Sequence, residues 1–365
     1  MQTASKKVIN GWAMYDWANS VYNLVITSTI FPAYFESVTG GGNDATSNDT
    51  VHLFGRTFVN TSLYNYALGI AFLLVAVMSP LLSSIADYKG NKKKFLFFFC
   101  TMGSIACSAM YFFDASNLGY GLLCLIVACV GFWSSLVFYN SYLPEIAAPE
   151  DQDRVSAKGF AYGYIGSVLL QIICFVFVLK PELFGITDAS LPARLSFLLV
   201  GIWWIGFAQI PFRKLPAGSP NYDKITKSTV KNGFQELLKV WNQLKSMALL
   251  KRFLFAFFFY SMGVQTIMLV AAGFGEKVLK LGTSKLIAII LIIQLVAIIG
   301  ALIMSFFAKR YGNIQVIIVV LTIWIGVCVA AYYIQNETQF YVIAAVVGLV
   351  MGGIQSISRS TYSKF

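Results

Sequence analysis

The chain has 365 residues, 58% of them hydrophobic and only 12% charged, with a mean hydropathy of +0.70 and a net charge of +11. The charged fraction is about half that of an ordinary soluble domain, and apolar runs of bilayer-spanning length recur throughout, so the sequence predicts an all-α polytopic membrane protein and excludes a soluble globular fold. A β-barrel is excluded too, because barrel strands alternate in polarity and these runs do not.

The first predicted span is 12–35, WAMYDWANSVYNLVITSTIFPAYF. Its 24 residues would give roughly 36 Å of helix at about 1.5 Å per residue, enough to cross a bilayer. Asp16, Asn19, Ser20, Asn23 and Thr27 recur at helical spacing and so share one face. A lipid-facing helix has no use for such a stripe, so it is expected to look inward and to line a substrate pathway. A polar outside loop follows, about Glu36–Thr61. It carries Gly40-Gly41-Gly42, a glycosylation-type sequon at Asn48-Asp49-Thr50, and His52, the only histidine.

Nine further spans are predicted at about 62–85, 95–113, 118–142, 159–179, 194–211, 252–274, 286–307, 314–335 and 340–362. Gly159, Gly163 and Gly166 fall near one face of the fifth span and predict close helix packing. Gln171, Gln265 and Gln294 stand alone within apolar runs, and Gln265 is a pathway candidate by that token. Between the sixth and seventh spans lies the longest polar segment, 212–251. Within it Phe234, Leu237, Leu238, Trp241 and Leu244 share a helical face, with Lys231, Lys239 and Lys245 interspersed. This predicts an amphipathic helix that lies on the inner membrane surface or packs against the ends of the bundle.

The basic residues decide the expected orientation. With a cytoplasmic N-terminus, 21 of the 27 Lys and Arg fall on the inside and 6 on the outside. The basic excess is therefore read as a topology signal and a contact with anionic lipid, not as a nucleic-acid footprint.

The plan of six spans, a long inside segment and more spans predicts a duplicated bundle. Ser83-Ser84-Ile85-Ala86-Asp87-Tyr88-Lys89-Gly90-Asn91 follows the second span. Ser305-Phe306-Phe307-Ala308-Lys309-Arg310-Tyr311-Gly312-Asn313 follows the eighth, with Ser, Ala, Gly and Asn matching at one constant offset. Lys309 stands where Asp87 stands, so the second turn is not expected to make the acidic contact of the first. Glu145 and Arg154 flank the turn after span four, where they could pair as part of an inside gate. Asp16 reads in two ways, as a contact between helices near the membrane interface, or as a proton-coupling or substrate-amine site. Gln355, Ser356 and Arg359 echo the first stripe in the last span.

The turn after span two resembles the signature of the major facilitator superfamily, G-x-x-x-D-[RK]-x-G-[RK]-[RK]. Asp87, Gly90, Lys92 and Lys93 match, while Ser83 replaces the first glycine and Tyr88 the basic residue. The resemblance implies a gating role for the four matching residues, latching the outward-open state. A closer resemblance spans nearly the whole chain. It rests on Gly11–Asn23 (GWAMYDWANSVYN), on Arg154-Val155-Ser156-Ala157 with Gly163-Tyr164-Ile165-Gly166, and on Gly352–Ser360 (GGIQSISRS). These segments are similar to the vacuole-effluxer branch of the superfamily, which comprises fungal vacuolar amino-acid effluxers and bacterial relatives. The resemblance implies a two-bundle transporter of twelve spans, of which ten fit here. The expected parts are a six-helix bundle at 1–211, a linker with an amphipathic helix at 212–251, and four helices of a second bundle at 252–365. A bundle lacking two helices is expected to be inactive or unstable alone.

The chemistry expected is transport, not catalysis. All six cysteines lie inside apolar runs, with no CxxC pair and no Cys/His cluster, so no metal site, disulfide framework or cofactor is expected. A nucleotide-binding GxxxxGK[ST] is missing from the sequence, so the drive should come from an ion or solute gradient. The expected function is secondary transport of a small polar solute, with amino-acid efflux implied by the resemblance and protons as the expected coupling ion. The expected location is a bacterial inner membrane. The candidate pathway residues are Asp16, Asn19, Asn23, Gln265 and Gln355. The candidate gating residues are Asp87, Gly90, Lys92, Lys93, Glu145, Arg154 and Arg359. The alternative is a non-transporting membrane sensor or scaffold.

Overall fold

The structure, a computed structural model, describes residues 2–40, 50–53, 55–89, 92–217, 227–277, 279–281 and 283–365. It is built from helices in the order α1 (Lys6–Val21), α2 (Phe31–Thr39), α3 (Asn60–Lys89), α4 (Lys92–Ala109), α5 (Leu118–Asn140), α6 (Leu143–Ile146), α7 (Gln152–Leu179), α8 (Leu191–Lys214), α9 (Lys227–Ser246), α10 (Ala248–Lys277), α11 (Thr283–Tyr311), α12 (Asn313–Tyr332) and α13 (Glu337–Ser363). A two-stranded antiparallel hairpin, β1 (Thr50–Leu53) and β2 (Arg56–Val59), lies in the first long loop. Asn48 of the sequon falls outside the described residues.

All ten predicted spans are helical. Among the described residues, eight helices are long and apolar enough to cross a membrane, and Leu237–Ser246 with Ala248–Met268 passes the same test only if the pair, bent by 103°, is taken together. Their large apolar side chains are freely exposed, as at Leu73, Val77, Phe255 and Ile325, which is the pattern of helices bathed in lipid.

The first span departs from a plain α-helix. Between α1 and α2 the chain winds as a π-helix over Tyr22–Ile30. The Ser28 hydroxyl donates to the Asn23 carbonyl at 2.8 Å, and the Phe31 N–H bonds the Ile26 carbonyl, both five residues back. An i→i+5 ladder holds more residues per turn than the 3.6 of an α-helix. The polar stripe expected from Asp16 to Thr27 therefore loses its register in this segment. Asp16 and Asn19 are buried, whereas Asn23 is exposed.

The chain forms two compact units. The first comprises Met1–Trp17, Asn140–Val168 and Lys239–Phe365. Its core centres on α11 against α13, with Ile293, Ala297, Val350 and Ile354 buried. Glycines let the two backbones meet: a Cβ at Gly348 would lie 2.5 Å from the Ile293 carbonyl oxygen, and Gly352 is as tightly closed by the Ala297 carbonyl. In lipid, helices gain little from apolar burial alone, so such close contact supplies the attraction.

The second unit comprises Ala18–Tyr139 and Leu169–Leu238. Phe31, Tyr34, Phe35, Phe113 and Phe197 form a stacked and edge-on aromatic cluster, and the Tyr34 hydroxyl donates to the Phe113 carbonyl at 2.8 Å. Trp204 fills the space left by Gly103, where a Cβ would lie 2.7 Å from its Cζ3. Among the described residues all six cysteines are free thiols, five of them buried, as apolar packing residues should be.

Candidate functional site

The polar centre of the first unit is an ion pair between α1 and α13. Arg359 Nη1 donates to Asp16 Oδ2 at 2.9 Å, and the two side chains are 8% and 6% exposed. An isolated charge inside a membrane protein is costly, and pairing with hydrogen bonding is what makes it tolerable. Arg359 is held from α7 as well. Its Nε donates to the Ser156 hydroxyl at 2.9 Å and its Nη2 to the Ser156 carbonyl at 2.6 Å. The Ser156 hydroxyl in turn donates to the Ser356 carbonyl at 2.7 Å. Arg359 Cζ lies 4.0 Å from the Phe160 ring centroid and 4.8 Å from that of Trp12, so aromatic rings of α7 and α1 hold the cation.

Gly159 makes this geometry sterically available. A Cβ there would lie 2.5 Å from Asp16 Oδ2, 2.7 Å from Arg359 Nη2 and 2.9 Å from Trp12 Cζ3. Two turns along, a Cβ at Gly166 would lie 2.7 Å from the Trp17 carbonyl oxygen. The glycines on α7 are thus the surface against which α1 packs. The polar seam continues through Tyr164, which donates to Gln355 Oε1 at 2.7 Å, and through Tyr260 and Ser358, whose hydroxyls are 2.7 Å apart.

Beyond the ion pair, a second polar cluster joins α7, α12 and the end of α13. Asp153, buried in the first turn of α7, accepts from Lys364 Nζ at 2.6 Å and from Asn313 Nδ2 at 2.7 Å. Lys364 also donates to Asn313 Oδ1 at 2.9 Å, which closes a ring of three side chains. Asn313 opens α12 directly after Gly312, whose φ of +89° suits glycine and allows the one-residue turn out of α11. Next to the ring, Ser363 donates to Gln152 Oε1 at 2.7 Å.

The loop between α6 and α7 is fixed from its other side by the N-terminal segment. The Thr3 hydroxyl donates to Asp151 Oδ2 at 2.7 Å and accepts the Ala148 N–H at 3.1 Å, and the Ala4 N–H bonds the Ile146 carbonyl at 2.8 Å. Thr3 and then Arg154 hold the Asp151 carboxyl below the usual carboxylate range.

A family model described as vacuole effluxer Atg22 like matches residues 4–365. The chain belongs to this family. This effluxer-family chain is 32% identical to an uncharacterized MFS-type transporter, YxiO, of Bacillus subtilis (strain 168), over 97% of its own length and 80% of the relative's. Autophagy-related protein 22 of Yarrowia lipolytica is 24% identical, over 82% of this chain and 64% of that protein. Among solved structures, the proton:xylose symporter XylE superposes with a TM-score of 0.64 at 12% identity, covering 98% of this chain and 85% of the other. A bacterial homolog of the human lysosomal transporter Spinster, in an inward-facing conformation, does so with a TM-score of 0.56 at 18% identity, covering 98% and 77%. The fold is that of the major facilitator superfamily, and the protein is an integral membrane transporter of that type.

Measured against the candidates read from the sequence, the effluxer-family site joins Asp16, Arg359 and Gln355 along one seam. Asn19 is buried in the second unit, and its Nδ2 has no hydrogen-bond partner among the described residues. Asn23 and Gln265 are exposed. Asp87 falls in the last turn of α3, and Gly90 lies outside the described residues. Lys92 opens α4, and Lys93 Nζ donates to the Leu215 carbonyl at 2.9 Å. Arg154 is largely exposed and pairs with Asp151 at 3.0 Å in place of the expected Glu145, because the two sit one helical turn apart. Ser156, Gly159, Phe160, Asp153, Asn313 and Lys364 were not read as site residues. In the second turn, Asn313 donates to Asp153 of α7.

Proposed function

We propose that this chain is a secondary active transporter that moves a small polar solute by alternating access, with zwitterionic amino acids as the solute class and protons as the coupling ion. The observation that carries the reading is the buried Asp16–Arg359 pair. A solute carboxylate can replace Asp16 on the guanidinium, while its ammonium group engages the released carboxylate. Protonation of Asp16 weakens the same pair and so links solute exchange to a proton. The Asp153–Asn313–Lys364 ring, with Glu145 and Arg154 of the same unit, is proposed as a gating element, and Asp87, Gly90, Lys92 and Lys93 are proposed, from their match to the superfamily signature, as a gating turn of their own. The bundle division at 1–211, 212–251 and 252–365 belongs to this proposal. So does a cytoplasmic N-terminus, which is supported by the charge asymmetry of the loops. The bacterial relative supports a bacterial inner membrane.

The deciding experiment is counterflow in proteoliposomes across a panel of amino acids, sugars and nucleosides, with and without a pH gradient. Wild-type protein should exchange at least one amino acid and respond to pH, and Asp16→Asn should lose the pH response. An Asp16→Asn protein with a wild-type pH response would falsify the coupling role. Solute binding without flux would favour the sensor alternative.

A further inference from the structure

We propose that α9 is an in-plane anchor that docks its apolar face on an anionic phospholipid surface. Two independent observations carry this. The first is direction: the end of α9 (Leu237–Ser246) meets the membrane helix α10 at a bend of 103°, so α9 runs across the axis of the span it precedes. The bend is built in. Met247 N–H bonds the Leu244 carbonyl, and Lys251 Nζ reaches back to the Lys245 carbonyl at 2.8 Å, which caps the last turn of α9. The second is chemistry. Leu237, Leu238, Trp241 and Leu244 lie at helical spacing on one side, and Trp241 is 60% exposed and Leu238 48% exposed. Between Lys227 and Arg252 the sequence places six basic residues and one acidic one, Glu236.

An exposed tryptophan and leucines beside lysines, on a helix lying across a membrane span, fit the headgroup–acyl boundary. There the indole and leucines enter the apolar edge while the ammonium groups meet lipid phosphates. The excess of positive charge selects anionic over zwitterionic headgroups. A protein partner would have to cover the same face without the bilayer that α10 already brings beside it.

The test uses the full chain in nanodiscs, one set rich in phosphatidylglycerol and one of phosphatidylcholine alone, with backbone hydrogen exchange read over Lys239–Ser246. This readout needs no solute, so it stands or falls apart from the transport reading. Protection in the anionic discs is expected, with exchange about tenfold or more faster in phosphatidylcholine, in high salt, or in Lys239→Glu/Lys245→Glu. Trp241→Glu should lose protection in both discs while the spans stay protected. Protection that ignores lipid charge and survives Trp241→Glu means that α9 packs on protein, and the proposal fails. Fast exchange in both lipids overturns it equally.

Discussion

Arg359 reaches Asp16 at 2.9 Å although 343 positions separate them in the chain. The contact ties the last membrane helix to the first within one compact unit, with α7 supplying Ser156 and Phe160 around the cation. Removing one partner of such a pair leaves a desolvated charge behind, a loss of about 3–5 kcal/mol in buried pairs. Asp16→Asn should therefore lower the thermal midpoint of the detergent-purified protein. Arg359→Gln added to Asp16→Asn should recover much of that loss, because no bare charge remains, yet should not restore transport. Unfolding followed by tryptophan fluorescence separates the two effects, and a double variant less stable than either single one sinks the argument.

Gly159 sets the space in which that pair exists. An alanine Cβ would stand 2.5 Å from Asp16 Oδ2 and 2.7 Å from Arg359 Nη2, both well inside van der Waals contact. Gly159→Ala should cost about 1–3 kcal/mol by overpacking and should reduce transport sharply. Gly206→Ala is the matched control, since a Cβ there meets nothing within 4 Å. It should be neutral or slightly stabilising in the same melts. Equal effects of the two substitutions would mean that glycine content, not the pair, is being measured.

The ring of Asp153, Asn313 and Lys364 joins α7, α12 and the end of α13. Asp153→Asn keeps the shape but removes the charge that holds Lys364, and Asn313→Ala removes the side chain that touches both. Each should speed hydrogen exchange in the 147–153 loop, with Asn313→Ala giving the larger change because it leaves Asp153 without its neutral donor. Unchanged exchange in both variants would show that the loop is held by other contacts.

The contrast between the ion pair and the ring shows what the sequence made legible. Helix existence was readable from apolar run length, and Asp16, Arg359 and Gln355 were readable because a charge or amide inside an apolar run demands an explanation. Ser156 and Gly159 carry no such signal, since serine and glycine are ordinary in membrane helices and only three-dimensional approach gives them a role. The repeated turn Ser305–Asn313 did contain Asn313, but its partner Asp153 lies in a different turn, and linear comparison does not bring them together. The π-helix was also hidden. Tyr22–Ile30 reads as a regular span, and the five-residue hydrogen bonds of Ser28 and Thr29 are a choice of local geometry, not of composition.

Asp151 offers a pH test outside the membrane spans. The Thr3 hydroxyl and Arg154 favour its charged form and hold its carboxyl low. A depressed carboxylate stabilises the fold above its unfolded value, about 3.9, and that contribution is lost as pH falls through the lower folded value. The N-terminal contact should thus be indifferent to pH across the neutral range and should loosen only below about pH 4. Hydrogen exchange of residues 2–8, corrected for intrinsic rates, measures this. Thr3→Val should move the loosening to higher pH, whereas a transition near neutrality would contradict the assignment.

The last prediction concerns the π-helix itself. The Thr29 hydroxyl lies 2.9 Å from Gln171 Oε1 and within 3.0 Å of the Leu24 and Val25 carbonyls, yet it has one proton to give. Gln171 is fully buried, and its Nε2 has no partner among the described residues. Exchanging the amide oxygen and nitrogen gives both donors an acceptor: Nε2 then donates to Thr29 Oγ1, the hydroxyl donates to a carbonyl, and the amide oxygen takes the place without a partner. In that arrangement Thr29→Val strands a buried amide, at a cost of about 1–3 kcal/mol. Gln171→Leu alone strands only a hydroxyl that keeps its carbonyl partner, so it should cost less. The double variant should cost less than the sum, because an apolar pair replaces a polar pair of similar shape. A double-mutant cycle on thermal unfolding reads the coupling directly. Strict additivity would show that Thr29 and Gln171 do not hold each other, and that the turn is shaped by Ser28 and Thr29 bonding back along their own helix.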